Sequence, residues 1–193
     1  MKRILYLHGF RSSPLSFKAR MLSDYFLAAG RAEDFICPQL PASPRAAILL
    51  AEQIIEKEGA DKISLIGSSL GGFYASYLTE KLGCRAVLLN PAVNAGRDLE
   101  KHVGVMTAYH SDARFEFTDE YVMQLRDYLV DTVARKACYF LLAATGDEVL
   151  DSQEMLRHFS GARQRVIQGS DHGLSDFANY IDEVVAFCDA QEV

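Results

Sequence analysis

No stretch of this chain approaches the ~18 consecutive apolar residues that a membrane helix requires, so the sequence predicts no membrane span. The apolar run near its start, MKRILYLHGF, breaks at His8-Gly9, too early for the apolar region of a signal peptide. Basic residues are scattered rather than clustered and the net charge is −6, which leaves no electrostatic footprint for nucleic acid or an anionic membrane surface. There are four cysteines, Cys37, Cys84, Cys138 and Cys188, far apart and without CxxC or Cys/His spacing. That argues against a zinc site or a redox pair and for buried free thiols in a reducing cytoplasm. Internal repeats and low-complexity tracts are absent, and LHGFRSSP has neither the GxGxxG spacing nor the GxxxxGK[ST] lysine of nucleotide-binding loops. The remaining partners are a small molecule or another protein.

What is present is a chain of 193 residues, 49% hydrophobic, which suits one compact domain with a sizeable core. Short apolar runs at 4–7, 35–37, 63–66, 86–89, 138–144 and 165–168 read as strands, most of them apolar throughout, as in strands buried on both faces. Segments with helical spacing at 17–29, 46–58, 70–82, 120–133, 153–158 and 177–190 alternate with them. The expected fold class is α/β, a mostly parallel sheet of about six strands with helices on both faces. The stretch 94–117 is polar and weakly periodic, and reads as a small insertion over one end of the sheet.

The segment LIGSSLGG sits where a strand run gives way to a helix run. A serine hydroxyl is a weak nucleophile unless it is presented to a base and to oxyanion donors, and a sharp strand-to-helix turn does this. Such a turn crowds the positions two before and two after the serine, so only small residues fit there. Gly67 and Gly71 flank Ser69 at those offsets, whereas Ser68 has Ile66 and Leu70. Ser69 is therefore the candidate nucleophile. The partners should follow in the order acid, then histidine, each just past a later strand. Asp147, after YFLLAATG, and His172, after RVIQGSD, meet that requirement. His102, His110 and His158 read as solvated surface residues, and His8 as an organiser of its own loop. The backbone N–H groups of Leu70 and of Phe10, the latter in YLHGFRSSP, are the candidate oxyanion-hole donors, with Gly9 allowing close approach of the substrate.

Several other carboxylates compete with Asp147 for the histidine. Asp151 in DSQE reads as a helix N-cap, with Glu154 completing a capping box. Asp171 adjoins His172 and should point away from it, Asp176 should favour the first turn of the last helix, and Glu148 would have to reach from one step further along.

Taken together, LYLHGFRSSP, PQLP, GSSLGG, NPAV, TGDEVLD and DH, in order over nearly the whole chain, resemble the α/β-hydrolase superfamily and, more closely, the YqiA-like small bacterial esterases. The resemblance implies a compact hydrolase core that lacks the first two strands of larger members and hydrolyses carboxylic ester or thioester bonds with no cofactor and no metal. By position it places the nucleophile on Ser69, the acid on Asp147 and the histidine on His172. The segment HSDARFEFTDEYVMQLRDY departs from the family pattern, where hydrolases often carry lids. Amide or peptide hydrolysis on the same triad and a catalytically silent binding protein are the alternative readings. The natural substrate and the oligomeric state are not legible in these residues.

Overall fold

The structure, a computed structural model, describes residues 1–109 and 114–190. In chain order the strands are β1 (Arg3–Leu7), β2 (Phe35–Ile36), β3 (Ile63–Ser68), β4 (Arg85–Leu89), β5 (Gly104–Thr107), β6 (Arg114–Phe117), β7 (Tyr139–Ala144) and β8 (Arg163–Ile167). The α-helices are α1 (Phe17–Ala28), α2 (Pro44–Glu58), α3 (Leu70–Leu82), α4 (Ala95–Leu99), α5 (Asp119–Asp127), α6 (Ser152–His158) and α7 (Ile181–Asp189). Six strands pair in parallel in the order β2-β1-β3-β4-β7-β8, while β5 and β6 form a separate antiparallel pair.

The continuous apolar strands are central because both of their faces are covered. Every residue of β3 and β7 is buried. Since alternate side chains of a strand point to opposite faces, Leu5, Leu7, Leu65, Leu88 and Leu141 pack against α2, α3, α5 and α6. Ile4, Tyr6, Ile66, Val87, Phe140 and Leu142 pack against α1 and α7 on the other side. At the sheet edge β8 begins two residues earlier than its apolar signal, because Arg163 and Gln164 are exposed there and carry none. Helix α2 begins earlier too: Pro44 occupies its first turn and Ser43 Oγ accepts the Ala46 N–H at 3.4 Å.

Some expectations need correction. Helix α5 stops at Asp127 rather than 133, where the Tyr128 and Leu129 N–H groups turn to Leu125 O and Arg126 O in tight three-residue bonds. The last helical segment opens as a 3-10 turn, Phe177–Tyr180, before α7. Within the stretch 94–117, GVMT and RFEF pair with Met106 opposite Phe115, and Phe115 and Phe117 turn inward while Val105 is left 73% exposed. Four residues per strand is too short a run for period-two alternation to stand out. All four cysteines are free, but Cys37 and Cys138 are only partly covered, lying just outside β2 and β7.

Because the six main strands are parallel, their carboxyl ends share one edge of the sheet. The loops after β1, β3, β4, β7 and β8 meet there, the position at which open α/β sheets bind ligands.

Candidate active site

Ser69 joins β3 to α3 with φ 54° and ψ −117°, a conformation a non-glycine residue holds only when its surroundings impose it. The imposition is steric. A Cβ on Gly67 would lie 2.3 Å from the Gly71 carbonyl oxygen, and one on Gly71 would lie 1.9 Å from that of Leu7. The turn is also tied to β4, since the Ser69 N–H donates to Leu89 O at 3.0 Å. Ser68 is buried in β3, so of the two serines only Ser69 is presented outward.

The structure brings Ser69, His172 and Asp147 together. His172 Nε2 lies 3.1 Å from Ser69 Oγ, and its Nδ1 lies 2.8 Å from Asp147 Oδ2. An ionised carboxylate only accepts, so Nδ1 carries the proton and Nε2 is left to accept from the serine hydroxyl. The Asp147 side chain has no exposed surface. Burial pushes its carboxyl up, but hydrogen bonds from His172, Leu150 and Val149 outweigh that and hold it below the usual carboxylate value. Both backbone donors reach Asp147 Oδ1 at 2.8 Å. Gly146 has a steric duty as well, since a Cβ there would sit 2.7 Å from Ser170 O and force the acid loop and the histidine loop apart.

The competing carboxylates are engaged elsewhere. Glu148 accepts the His172 backbone N–H at 3.0 Å, and Asp171 Oδ1 accepts the Ser175 N–H at 2.8 Å. Asp151 caps α6 by accepting from Gln153 N at 2.8 Å, but Glu154 does not close a capping box: it forms a two-pronged pair with Arg97. Asp176 accepts from Ser170 Oγ and Tyr180 OH instead of capping the turn beside it.

Neither the Phe10 nor the Leu70 N–H donates a hydrogen bond among the described residues, so both remain available to a ligand. A Cβ on Gly9 would lie 3.4 Å from Ser69 Cβ and 3.9 Å from its Oγ, in the space before the hydroxyl. His8 is structural: its Nε2 accepts the Leu40 N–H at 3.0 Å and holds the PQLP segment beside the loop.

Two histidines differ from expectation and one residue was missed. His102 is half-buried against the Phe10 ring, with centroids 6.0 Å apart, and burial pushes its pKa down. His158 is half-buried edge-on to Phe159, again with its pKa lowered by burial. His110 lies outside the described residues. Asn90 is fully buried at φ 44° just past β4; its Nδ2 donates to Asp171 O at 3.0 Å and His172 O at 3.1 Å, and its Oδ1 accepts the Ala144 N–H at 2.8 Å. One amide therefore splints the histidine loop to two strands. The signal was the NP dipeptide ending an apolar strand, since Asn tolerates the left-handed region.

Two cavities flank the loop 9–12, one of about 540 Å³ bounded by Phe10, Leu40, Leu70, Tyr74 and Phe115, the other of about 630 Å³ into which Ser69 and His172 open. Among the described residues no group of three or more His, Cys, Asp or Glu could hold a metal ion, and no helix is long and apolar enough to cross a membrane.

The model of the uncharacterised protein family UPF0227, the YqiA family, matches residues 3–189. The chain belongs to this family. Solved structures share its architecture at low identity. Est1E from Butyrivibrio proteoclasticus with ferulic acid bound superposes with a TM-score of 0.68 at 11% identity, covering 96% of this chain and 88% of that one. Mouse alpha/beta hydrolase domain-containing protein 10 gives 0.66 at 15% identity, covering 94% and 88%. The monoacylglycerol lipase of Paleococcus ferrophilus gives 0.66 at 15% identity, covering 95% and 94%. This UPF0227 member therefore has the α/β-hydrolase fold.

Proposed function

We propose that this UPF0227 protein is a serine hydrolase that cleaves small acyl esters or thioesters through an acyl-enzyme. The observation that carries the reading is the continuous array Ser69 Oγ, His172 imidazole and Asp147 carboxylate, at 3.1 and 2.8 Å. His172 Nε2 takes the hydroxyl proton as Ser69 Oγ attacks the carbonyl carbon, and the carbonyl electrons move onto oxygen. That oxyanion is met by the Phe10 and Leu70 N–H groups, the latter at the start of a helix whose dipole favours negative charge. The proton on Nε2 then passes to the departing alcohol or thiol, and water, activated by the same nitrogen, releases the acid. Asp147, ionised and buried, holds the ring in the productive tautomer and stabilises the imidazolium. No step calls for a cofactor or metal.

The cavity bounded by Leu40, Leu70, Tyr74 and Phe115 is suited to a short acyl chain. We read the whole chain as one α/β-hydrolase domain, with 94–117 as a lid-like addition over the site. The names of the Rhodothermus marinus esterase domain and the monoacylglycerol lipase among its structural neighbours support ester chemistry. The four free thiols support a reducing, cytoplasmic setting.

A fluorophosphonate probe should form a single adduct on Ser69 of the folded protein, and the Ser69→Ala variant should neither label nor turn over 4-nitrophenyl or thioester substrates of graded chain length. A folded sample that takes no label would overturn the proposal.

A further inference from the structure

The start of α1 forms one wall of the cavity into which Ser69 and His172 open, through Ser16, Phe17 and Lys18. Lys18 is buried to 9% exposure, and its Nζ donates to the carbonyl of Gly173, the residue after His172. Among the described residues no carboxylate lies within 4.0 Å of that ammonium. The acids that attract it from further off are Asp171 and Asp147, and each already accepts hydrogen bonds elsewhere. A buried ammonium without a contacting counter-ion is costly, and a fold keeps one where something else meets the charge.

Three further features point the same way. Ser16 is the N-cap residue of the 12-residue helix α1 but makes no capping bond, and its buried Oγ, near the Tyr6 hydroxyl, has no partner that meets hydrogen-bond geometry. The first turn of α1 carries no acidic residue, so no side chain of that turn offsets its orphan N–H groups and dipole. Among the described residues the cavity is lined by Lys18, Arg11 and His102 and by no Asp or Glu. Arg11 donates through Nε to Thr107 O of the hairpin, and Lys18 is the cation carried by α1's part of the wall.

The position also says which part of a substrate would lie there. A leaving group receives its proton from His172 Nε2, so the alcohol or thiol portion must sit on the histidine side, beside Gly173 and Lys18. Resting on the hydrolase reading above, we propose that Lys18, Ser16 and the first turn of α1 form an anion subsite. The preferred substrates are then esters or thioesters whose leaving portion carries a carboxylate or phosphate. Burial lowers the Lys18 pKa to about 8, against the upward pull of Asp171 and Asp147. The charge that would hold the anion is therefore present below that pH and lost above it.

The test uses the full-length protein and three butyrate esters: 3-carboxyphenyl, 3-phosphonooxyphenyl and the neutral 3-(methoxycarbonyl)phenyl. One or both anionic esters should exceed the neutral one by at least tenfold in kcat/KM, chiefly through KM, and which of them does identifies the oxyanion. That preference should shrink as pH rises through about 8, which needs no variant. Lys18→Met should cut the ratio of anionic to neutral turnover tenfold or more, and Ser16→Ala a few-fold. Equal turnover of all three esters by the unaltered protein, or a Lys18→Met loss shared equally among them, would overturn the subsite and leave Lys18 as a strut for the Gly173 loop. No turnover of any ester, together with no phosphonate adduct on Ser69, would sink the hydrolase reading and the subsite with it.

Discussion

The edge of the sheet that carries Ser69, Asp147 and His172 and the hairpin segment above it are built by different means. At the edge the main chain does the positioning: Gly67, Gly71 and Gly146 let backbone approach backbone where no Cβ fits, and N–H groups aim the Asp147 carboxylate. Above it, side chains do the positioning. The Phe10 ring meets Phe117 edge-on at 5.0 Å and Phe115 at 6.2 Å, and Arg11 joins the two regions. Arg11 is itself in the left-handed region at φ 59°, accepts the Tyr109 N–H, donates to Thr107 O and lies 4.3 Å over the Tyr109 ring. The difference matters because Phe10 supplies one of the proposed oxyanion donors. The hairpin is thus fastened to the loop that would stabilise charge, so a disturbance in one region should reach the other along Phe10 and Arg11.

The largest expected effect separates the two regions. Asp147→Asn retains an acceptor for the Val149 and Leu150 N–H groups but presents an amide to His172 Nδ1, which favours the wrong tautomer. Turnover should fall by a factor on the order of 10⁴ with the thermal unfolding midpoint little changed. Retained activity would mean that another group orients the ring. The next effect should join the regions. Phe117, 1% exposed, packs on Phe10, and Phe117→Ala should cost about 3 to 5 kcal/mol in chemical denaturation and lower kcat as Phe10 loses its seat. Lost stability with unchanged kcat in the folded fraction would make the hairpin a cover and nothing more. The smallest lies just outside both regions. Asp151→Asn swaps one good N-cap for another and removes an exposed 3.6 Å contact to Arg157, so unfolding should shift by less than about 0.5 kcal/mol and turnover should not change.

Legibility followed the same divide. Ser69 and the glycines around it were readable because the steric rule concerns neighbours in sequence. Asp147 and His172 were readable because each directly follows an apolar strand whose carboxyl end must lie at a parallel-sheet edge. The hairpin was not, because Phe115 and Phe117 declare their faces only once they meet Phe10, more than ninety positions away. The burial of His102 is hidden for the same reason, since it too depends on Phe10. Asn90, in NPAV, has a role that local sequence does not show, since its three partners lie on β7 and in the loop after β8.

The order of apolar runs and helical spacings, with small residues two places to either side of one serine, determined on its own an α/β chain whose candidate nucleophile, acid and base come in that order. These features act through local sterics and burial, which neighbouring residues decide among themselves. Only the tertiary structure decided that Asn90 splints the histidine loop, that Phe10 is seated on an aromatic hairpin, and that Lys18 is buried in the wall of the cavity that Ser69 also lines, with no carboxylate within 4.0 Å among the described residues. Each depends on a distance between segments far apart in the chain, and such distances exist only once the sheet has closed and brought its strand ends to one edge.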